Sequence, residues 1–260
     1  MKYLNLGCGD KYIIDDVWEN VDFHGSEHVK GANILQGLPY ENSSVDAVFS
    51  SHMLEHFTKA QAKSHVQECY RVLKSNGIIR IVVPDLENIC QEYLHILSKV
   101  REDESYAKKY EYVILELLDQ MTRMESGGEM MKYWESPDSD LEYVAKRSGF
   151  DEGYFARQNA APAGKKKFAS LRALYRKLKV YKRKLFKKTT AGELALSGEL
   201  HRWMYDSYSM SCLLKECGFS NIEYKSCNVS AIENWEKYAL EFDSNGNEYK
   251  PHSIYVEARK

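Results

Sequence analysis

The sequence has no apolar run approaching the ~20 residues needed to cross a bilayer. That excludes a chain held in a membrane by its own helix. Met1 leads directly into an alternating pattern, without the basic stretch and apolar core of a secretory leader, so the expected location is cytoplasmic. Six cysteines, Cys8, Cys69, Cys90, Cys212, Cys217 and Cys227, include no C-x-x-C pair and no framework of disulfide spacings. Reduced thiols, mostly filling a core, are expected. A strong net charge is also missing: the chain stands at −2. No internal repeat is present, and the strand-like segments of the N-terminal third are not joined by hairpin turns.

The 260 residues, 43% hydrophobic and 28% charged, suffice for one large domain or a domain with a sizeable insertion. KYLNLG (2–7), ENVDF (19–23), ANIL (32–35) and VDAVFS (45–50) read as strands. Ala62, Val66, Cys69, Tyr70 and Leu73 share one face of a helix that Thr58 can cap and Asn76-Gly77 can end. GIIRIVVP (77–84) is almost continuously apolar, as a strand buried on both faces would be. Two amphipathic helices are expected next, through Leu86–Val100 and Tyr106–Met121, then loops and short helices over 126–164. Order returns with a helix around Met210, Leu213, Leu214 and Cys217 that stops at Gly218. NIEYKSC (221–227) and SIYVEA (253–258) read as two final strands, and the long connection between them can bring the chain back antiparallel. The expected fold class is α/β, a mostly parallel Rossmann-like sheet with an antiparallel C-terminal strand, plus a helical insertion. Residues 1–94 and 200–260 would form the sheet domain, with 95–199 as the insertion.

LNLGCGD (4–10) places Gly7 and Gly9 at the carboxyl end of the first strand, where open α/β sheets bind ligands and where a missing Cβ admits one closely. A dinucleotide fingerprint would need a third glycine where Tyr12 stands, which argues against NAD. Asp22 closes the second strand, and a carboxylate there can accept hydrogen bonds from both ribose hydroxyls of an adenosyl group. His52, Glu55 and His56 spell H-x-x-E-H, a zinc-hydrolase signature. Those letters fall on the loop between a strand and the helix that begins at Thr58. A loop is a poor scaffold for a zinc pair, so no metal site is expected. Glu55 and His56 read equally as a hydrogen-bonded turn supporting that helix or as direct participants.

LNLGCGD, NVDF, LPYENSSVDAVFSSHMLEHF and ECYRVLKSNGIIRIVVPDLE resemble the successive motifs of class I S-adenosylmethionine-dependent methyltransferases. The likeness is to a bacterial group often linked with surface-polysaccharide genes. It covers residues 2–88 and resumes at HRWMYDSYSMSCLLKECGF (201–219). The resemblance implies S-adenosyl-L-methionine as cofactor, held by Leu6, Gly7, Cys8, Gly9, Asp22, Asn33, Leu38, Ser51 and His52. Asn33 departs from the pattern, because relatives place an Asp there to meet the adenine amino group; the Asn33 amide oxygen can accept that bond without charge. The resemblance further implies methylation of a sugar or glycan hydroxyl in polysaccharide biosynthesis. Removing the hydroxyl proton suits a histidine near neutral pH, so His52 and His201 are the candidate bases, with Asp85 third. Arg202, Tyr205 and Asp206 would line the acceptor site, unless Trp203 and Tyr205 simply pack a helix onto the sheet.

Residues 165–188, KKKFASLRALYRKLKVYKRKLFKK, carry twelve Lys or Arg and no acid, so an acidic body bears one basic segment. Phe168, Leu171, Leu174, Tyr175, Leu178, Tyr181 and Leu185 recur at spacings of three and four. Such a basic amphipathic stretch suits a peripheral contact with an anionic membrane, at the inner face, and hence a lipid-linked acceptor. Nucleic acid is the weaker expectation, and a solvated helix or an arm without a partner is the plain alternative. Two other functions stay open: methylation of a small metabolite or polypeptide, and a noncatalytic adenosyl-binding or interaction protein.

Overall fold

In the computed structural model the described residues are 1–150 and 199–260. They fall into two compact units, Met1–Leu94 with His201–Lys260, and His95–Leu200. The basic segment 165–188 lies outside the described residues. No helix among the described residues is long and apolar enough to cross a membrane.

The first unit is built on seven strands: β1 (Tyr3–Leu6), β2 (Trp18–Asp22), β3 (Val29–Gly31), β4 (Val45–Ser51), β5 (Leu73–Pro84), β6 (Ser220–Tyr224) and β7 (Ser253–Arg259). Their order is β3-β2-β1-β4-β5-β7-β6. The pairs β3–β2, β2–β1, β1–β4 and β4–β5 are parallel, and β7 runs antiparallel to both β5 and β6. This is the mostly parallel sheet with an antiparallel C-terminal strand that the sequence led us to expect. One strand is shifted. The third was expected at ANIL, but β3 ends at Gly31, and Ile34–Gln36 turns as a short 3-10 helix. The Asn33 side chain accepts from the Leu35 N–H, a local bond that offers the backbone an alternative to a sheet ladder.

Helix α1 (Lys59–Val72) starts as expected from Thr58, through a capping box with Gln61. In the same numbering, α2 spans Leu86–Val100, α3 Ala107–Thr122, α4 Gly128–Glu135, α5 Leu141–Ser148 and α6 Ser207–Glu216. On one face of the sheet, Leu4, Leu6, Val48, Ile79, Ile81 and Val256 pack with Ala62, Val66 and Cys69 of α1 and Met210 and Leu214 of α6. The alternate residues of those strands face the other way. There Tyr3, Phe49, Val82 and Tyr255 meet Cys227, Ile232, Trp235 and Leu240 from the 225–252 connection between β6 and β7. One face is therefore covered by helices, the other by largely irregular chain.

Within the second unit, Tyr112 of α3 is buried, with ring centroids 5.5 Å from Tyr133 of α4 and 6.0 Å from Tyr143 of α5. Arg147 clasps Glu116 through two hydrogen bonds of 2.9 and 2.8 Å. A Cβ on Gly128 would collide with the Asp119 carboxylate, whose Oδ1 accepts from the Glu129 N–H at the start of α4.

Candidate active site

The sheet register assembles the site. Leu6 pairs with Val21 on one side and Ser50 on the other, so Gly7, Asp22 and Ser51 leave the sheet at one level. Strand order reverses between β1 and β4, and open α/β sheets bind ligands at such a switch point, beyond the carboxyl ends of the strands. A cavity of about 250 Å³ lies there, lined by Gly7, Cys8, Lys11, Ser51 and His52, with Asn5 and Phe49 below and Leu240, Glu241 and Lys250 from the β6–β7 connection.

Gly7 and Gly9 both adopt left-handed backbone, with φ of 66° and 52°. A Cβ on Gly7 would come 2.5 Å from Met53 Sδ, so the position admits no side chain. Nothing lies within 4 Å of where a Cβ on Gly9 would be, which leaves its backbone open to a ligand. The Gly9 N–H donates to Asp22 Oδ2 at 2.9 Å. The glycine turn and the strand-end carboxylate are thus joined, and Asp22 Oδ1 is the oxygen suited to a ribose hydroxyl. Burial pushes the Cys8 thiol up to about 11, with Asp22 adding to the effect, so sulfur here is no nucleophile at neutral pH.

His52 follows β4 with φ of 49°, an uncommon conformation for a residue with a side chain. Its N–H donates to Val82 O at 2.9 Å, Nε2 lies 2.9 Å from Ser253 Oγ, and Nδ1 lies 3.5 Å from Glu55 Oε1. Burial, aided by the charge of Lys250, holds the imidazole well below its usual range, so the ring is neutral near pH 7. Glu55 is 1% exposed, and burial raises its carboxyl to about 8. Beside the cavity, burial lifts the Glu241 carboxyl to about 7, with Ser51 opposing the shift, and burial lowers the Lys250 ammonium.

The other expected residues have different surroundings. Leu6 and Leu38 belong to the core at 0% and 4% exposure, so only their backbones can meet a cofactor. The Asn33 amide oxygen already caps the 3-10 turn at 3.2 Å and has one further lone pair to offer an adenine. Asp85 does not line the cavity; its Oδ1 accepts from the Glu87 N–H at 3.0 Å at the start of α2. Tyr205 is buried in the helix-covered core, and Asp206 caps α6 by accepting from the Ser209 N–H at 2.7 Å. Arg202 exposes its side chain, while its N–H donates to Glu55 O at 2.7 Å. His201 is 6% exposed, edge-to-face with His56 at 5.0 Å. Lys11, Glu241 and Lys250 were not foreseen as site residues. Lys11 stands directly after the glycine turn, which is a usable signal, whereas Glu241 and Lys250 have none before the connection is folded.

A family model described as a methyltransferase domain matches residues 14–81. The matched stretch includes Asp22, Ser51 and His52. No curated protein matches the chain. Among solved structures, it is similar to a SAM-dependent methyltransferase from Archaeoglobus fulgidus, with 12% identity over 100% of this chain and 86% of that one, at a TM-score of 0.40. It is similar also to an S-adenosylmethionine-dependent methyltransferase from Mesorhizobium loti, with 13% identity over 100% and 90% of the two chains, at a TM-score of 0.38. A third, a SAM-dependent methyltransferase from Aquifex aeolicus, is 14% identical over 33% of this chain and 57% of that chain, with a TM-score of 0.27. The cradle at Gly7 and Gly9 and the carboxylate of Asp22 would fit S-adenosylmethionine, offering it close backbone approach and a ribose acceptor.

Proposed function

We propose that this protein is an S-adenosylmethionine-dependent methyltransferase that acts on a hydroxyl group of a sugar or glycan, with His52 as the base. The observation that carries the reading is the His52 imidazole at the edge of the switch-point cavity, with Nε2 2.9 Å from Ser253 Oγ and Nδ1 3.5 Å from Glu55 Oε1. S-adenosylmethionine, when bound, supplies an electrophilic methyl group. The chain has to hold the acceptor in line and take its proton. An acceptor hydroxyl that replaces Ser253 Oγ at Nε2 would meet the imidazole lone pair, while Glu55 keeps the opposite edge of the ring oriented. Lys11, Ser51, Glu241 and Lys250 give the cavity alternating donors and acceptors, which suit a polyhydroxylated ligand. The sugar class itself rests on the resemblance to a group linked with surface-polysaccharide genes.

His52→Ala is expected to lower kcat on a saccharide acceptor by about 10²- to 10⁴-fold while S-adenosylmethionine affinity, read by calorimetric titration, changes little. Unchanged turnover would remove His52 from the role. Tight cofactor binding with no turnover on saccharide, metabolite or polypeptide acceptors would remove the catalytic reading. The segment 165–188 would bring the protein to an anionic membrane carrying a lipid-linked acceptor. Flotation with anionic vesicles should lift the full chain and leave a 165–188 deletion behind; equal flotation of both ends the membrane idea.

A further inference from the structure

The H-x-x-E-H letters acquire a different partner in three dimensions. Glu55 and His56 sit on the turn Leu54–His56 that follows β4, and His201 arrives from the chain leading into α6. The approach is fixed by backbone: the N–H groups of Arg202 and Trp203 both donate to Glu55 O, at 2.7 and 3.2 Å. As a result, a carboxylate oxygen of Glu55 and one ring nitrogen each of His56 and His201 lie within 4.8 Å of one another. His52, the remaining letter, stays outside this cluster.

One observation beyond the cluster points to an ion, and a second is compatible with it. The Glu55 side chain is 1% exposed, and neither of its oxygens has a hydrogen-bond partner among the described residues, His52 Nδ1 standing off at 3.5 Å from Oε1. A carboxyl group buried without donors either keeps its proton or meets a cation. The ring geometry is compatible with it: two imidazoles bound to one tetrahedral ion, each nitrogen about 2 Å from the metal, place their ring centroids about 5 Å apart, as an edge-to-face pair also does. The centroids of His56 and His201 are 5.0 Å apart, with planes inclined at 79°. Two imidazoles and a carboxylate are a donor set for a divalent first-row transition ion, and too rich in nitrogen for magnesium or calcium.

We propose that Glu55, His56 and His201 bind one divalent transition-metal ion of the zinc type. Small side-chain rotations bring the three ligand atoms to coordination distance, and water or a substrate oxygen completes the shell. Because Glu55 Oε1 lies 3.5 Å from His52 Nδ1, the ion would fix the carboxylate that orients the candidate base. That consequence rests on the methyltransferase reading; the binding itself does not.

The test uses the full-length, untagged protein, stripped with a chelator and titrated with Zn²⁺, then with Co²⁺ as a spectroscopic probe. A single equivalent should bind, with visible ligand-field bands and no near-ultraviolet thiolate charge-transfer band. Glu55→Gln and His201→Ala should each weaken binding by at least about tenfold. Absence of a bound equivalent, unchanged affinity in both variants, or a thiolate band would overturn the proposal. Circular dichroism reports whether the variants fold; should either fail, His56→Gln, on the half-exposed side of the cluster, decides the question by the same criteria. S-adenosylmethionine titration of the same samples reports separately on the methyltransferase reading, so either proposition can fail while the other stands.

Discussion

The two faces of the sheet are covered by different kinds of chain, and the strand residues beneath them differ accordingly. Under α1 and α6 the inward-facing positions of β1, β5 and β7 are apolar, because a helix satisfies its own backbone and asks the sheet only for packing. Under the irregular connections the corresponding positions include Asn5, Asn20, Arg80 and Glu257, all buried. Each serves backbone that no helix or ladder satisfies. Arg80 donates to the carbonyls of Ser226, Cys227 and Val229, and Glu257 accepts from the Ala231 N–H. Asn20 donates to Ile13 O and His28 O, and Asn5 to Lys11 O. A polar side chain on a buried strand thus marks irregular chain above it. That same face carries the ligand cavity, with Glu241 and Lys250 delivered by the connection.

The contrast is sharpest at Arg80, which is fully buried and paired with Glu257 at 2.7 Å. Arg80→Met should cost about 3–5 kcal/mol by urea denaturation, since it strands a buried carboxylate. An ion pair alone would be largely rescued by also replacing Glu257 with Leu. Because Arg80 also serves three carbonyls, the double variant should remain at least about 2 kcal/mol below the parent. Full rescue would mean that the connection does not depend on side-chain donors. On the helix-covered face, Leu214→Ala should cost about 3 kcal/mol, as a cavity left in a purely apolar core.

A second test uses pH. The folded-state carboxyl of Glu241 is raised from 4.5 to about 7 by burial, so between those values the folded protein holds a proton that the unfolded chain has lost. The contribution of this group to stability is complete below pH 4.5 and is lost as pH rises through 7. Relative to the parent, Glu241→Gln should therefore gain about 2–3 kcal/mol between pH 4.5 and 8. A constant difference between the two curves across that range would show that Glu241 is better solvated or better paired than the geometry indicates.

The helix-covered half was legible in the sequence because its information is local. Ala62, Val66 and Cys69 repeat at helical spacing, Thr58 and Gln61 form a cap, and GIIRIVVP names a doubly covered strand. Gly7, Asp22 and Ser51 were legible as a group because register follows from strand order. The shift of β3 escaped, since a three-residue strand carries almost no periodicity and Asn33 diverts the chain. The connector-covered half escaped for a deeper reason: Leu240, Glu241 and Lys250 have meaning only once 225–252 has folded over Phe49. The cluster of Glu55, His56 and His201 likewise joins residues distant in the chain, through backbone bonds that no spacing announces. Arg80 was the available clue, a lone charge in an apolar strand.

The smallest expected effect separates the roles of the two glycines of the turn after β1. Gly7 and Gly9 share positive φ, but only Gly7 is closed in, by Met53. Gly9→Ala should then cost about 1 kcal/mol from left-handed backbone strain alone. Its Cβ would enter open space, so the domain should still fold with the Asp22 carboxylate held by the Gly9 N–H. The open space is where the cofactor's adenosyl end is expected, so the same methyl group should weaken S-adenosylmethionine binding by more than it weakens folding. Denaturation and calorimetric titration of this one variant compare the two losses directly. Equal losses would mean that Gly9 shapes the turn without facing the ligand, and the cofactor's contact with β1 would then belong to Gly7 and Cys8.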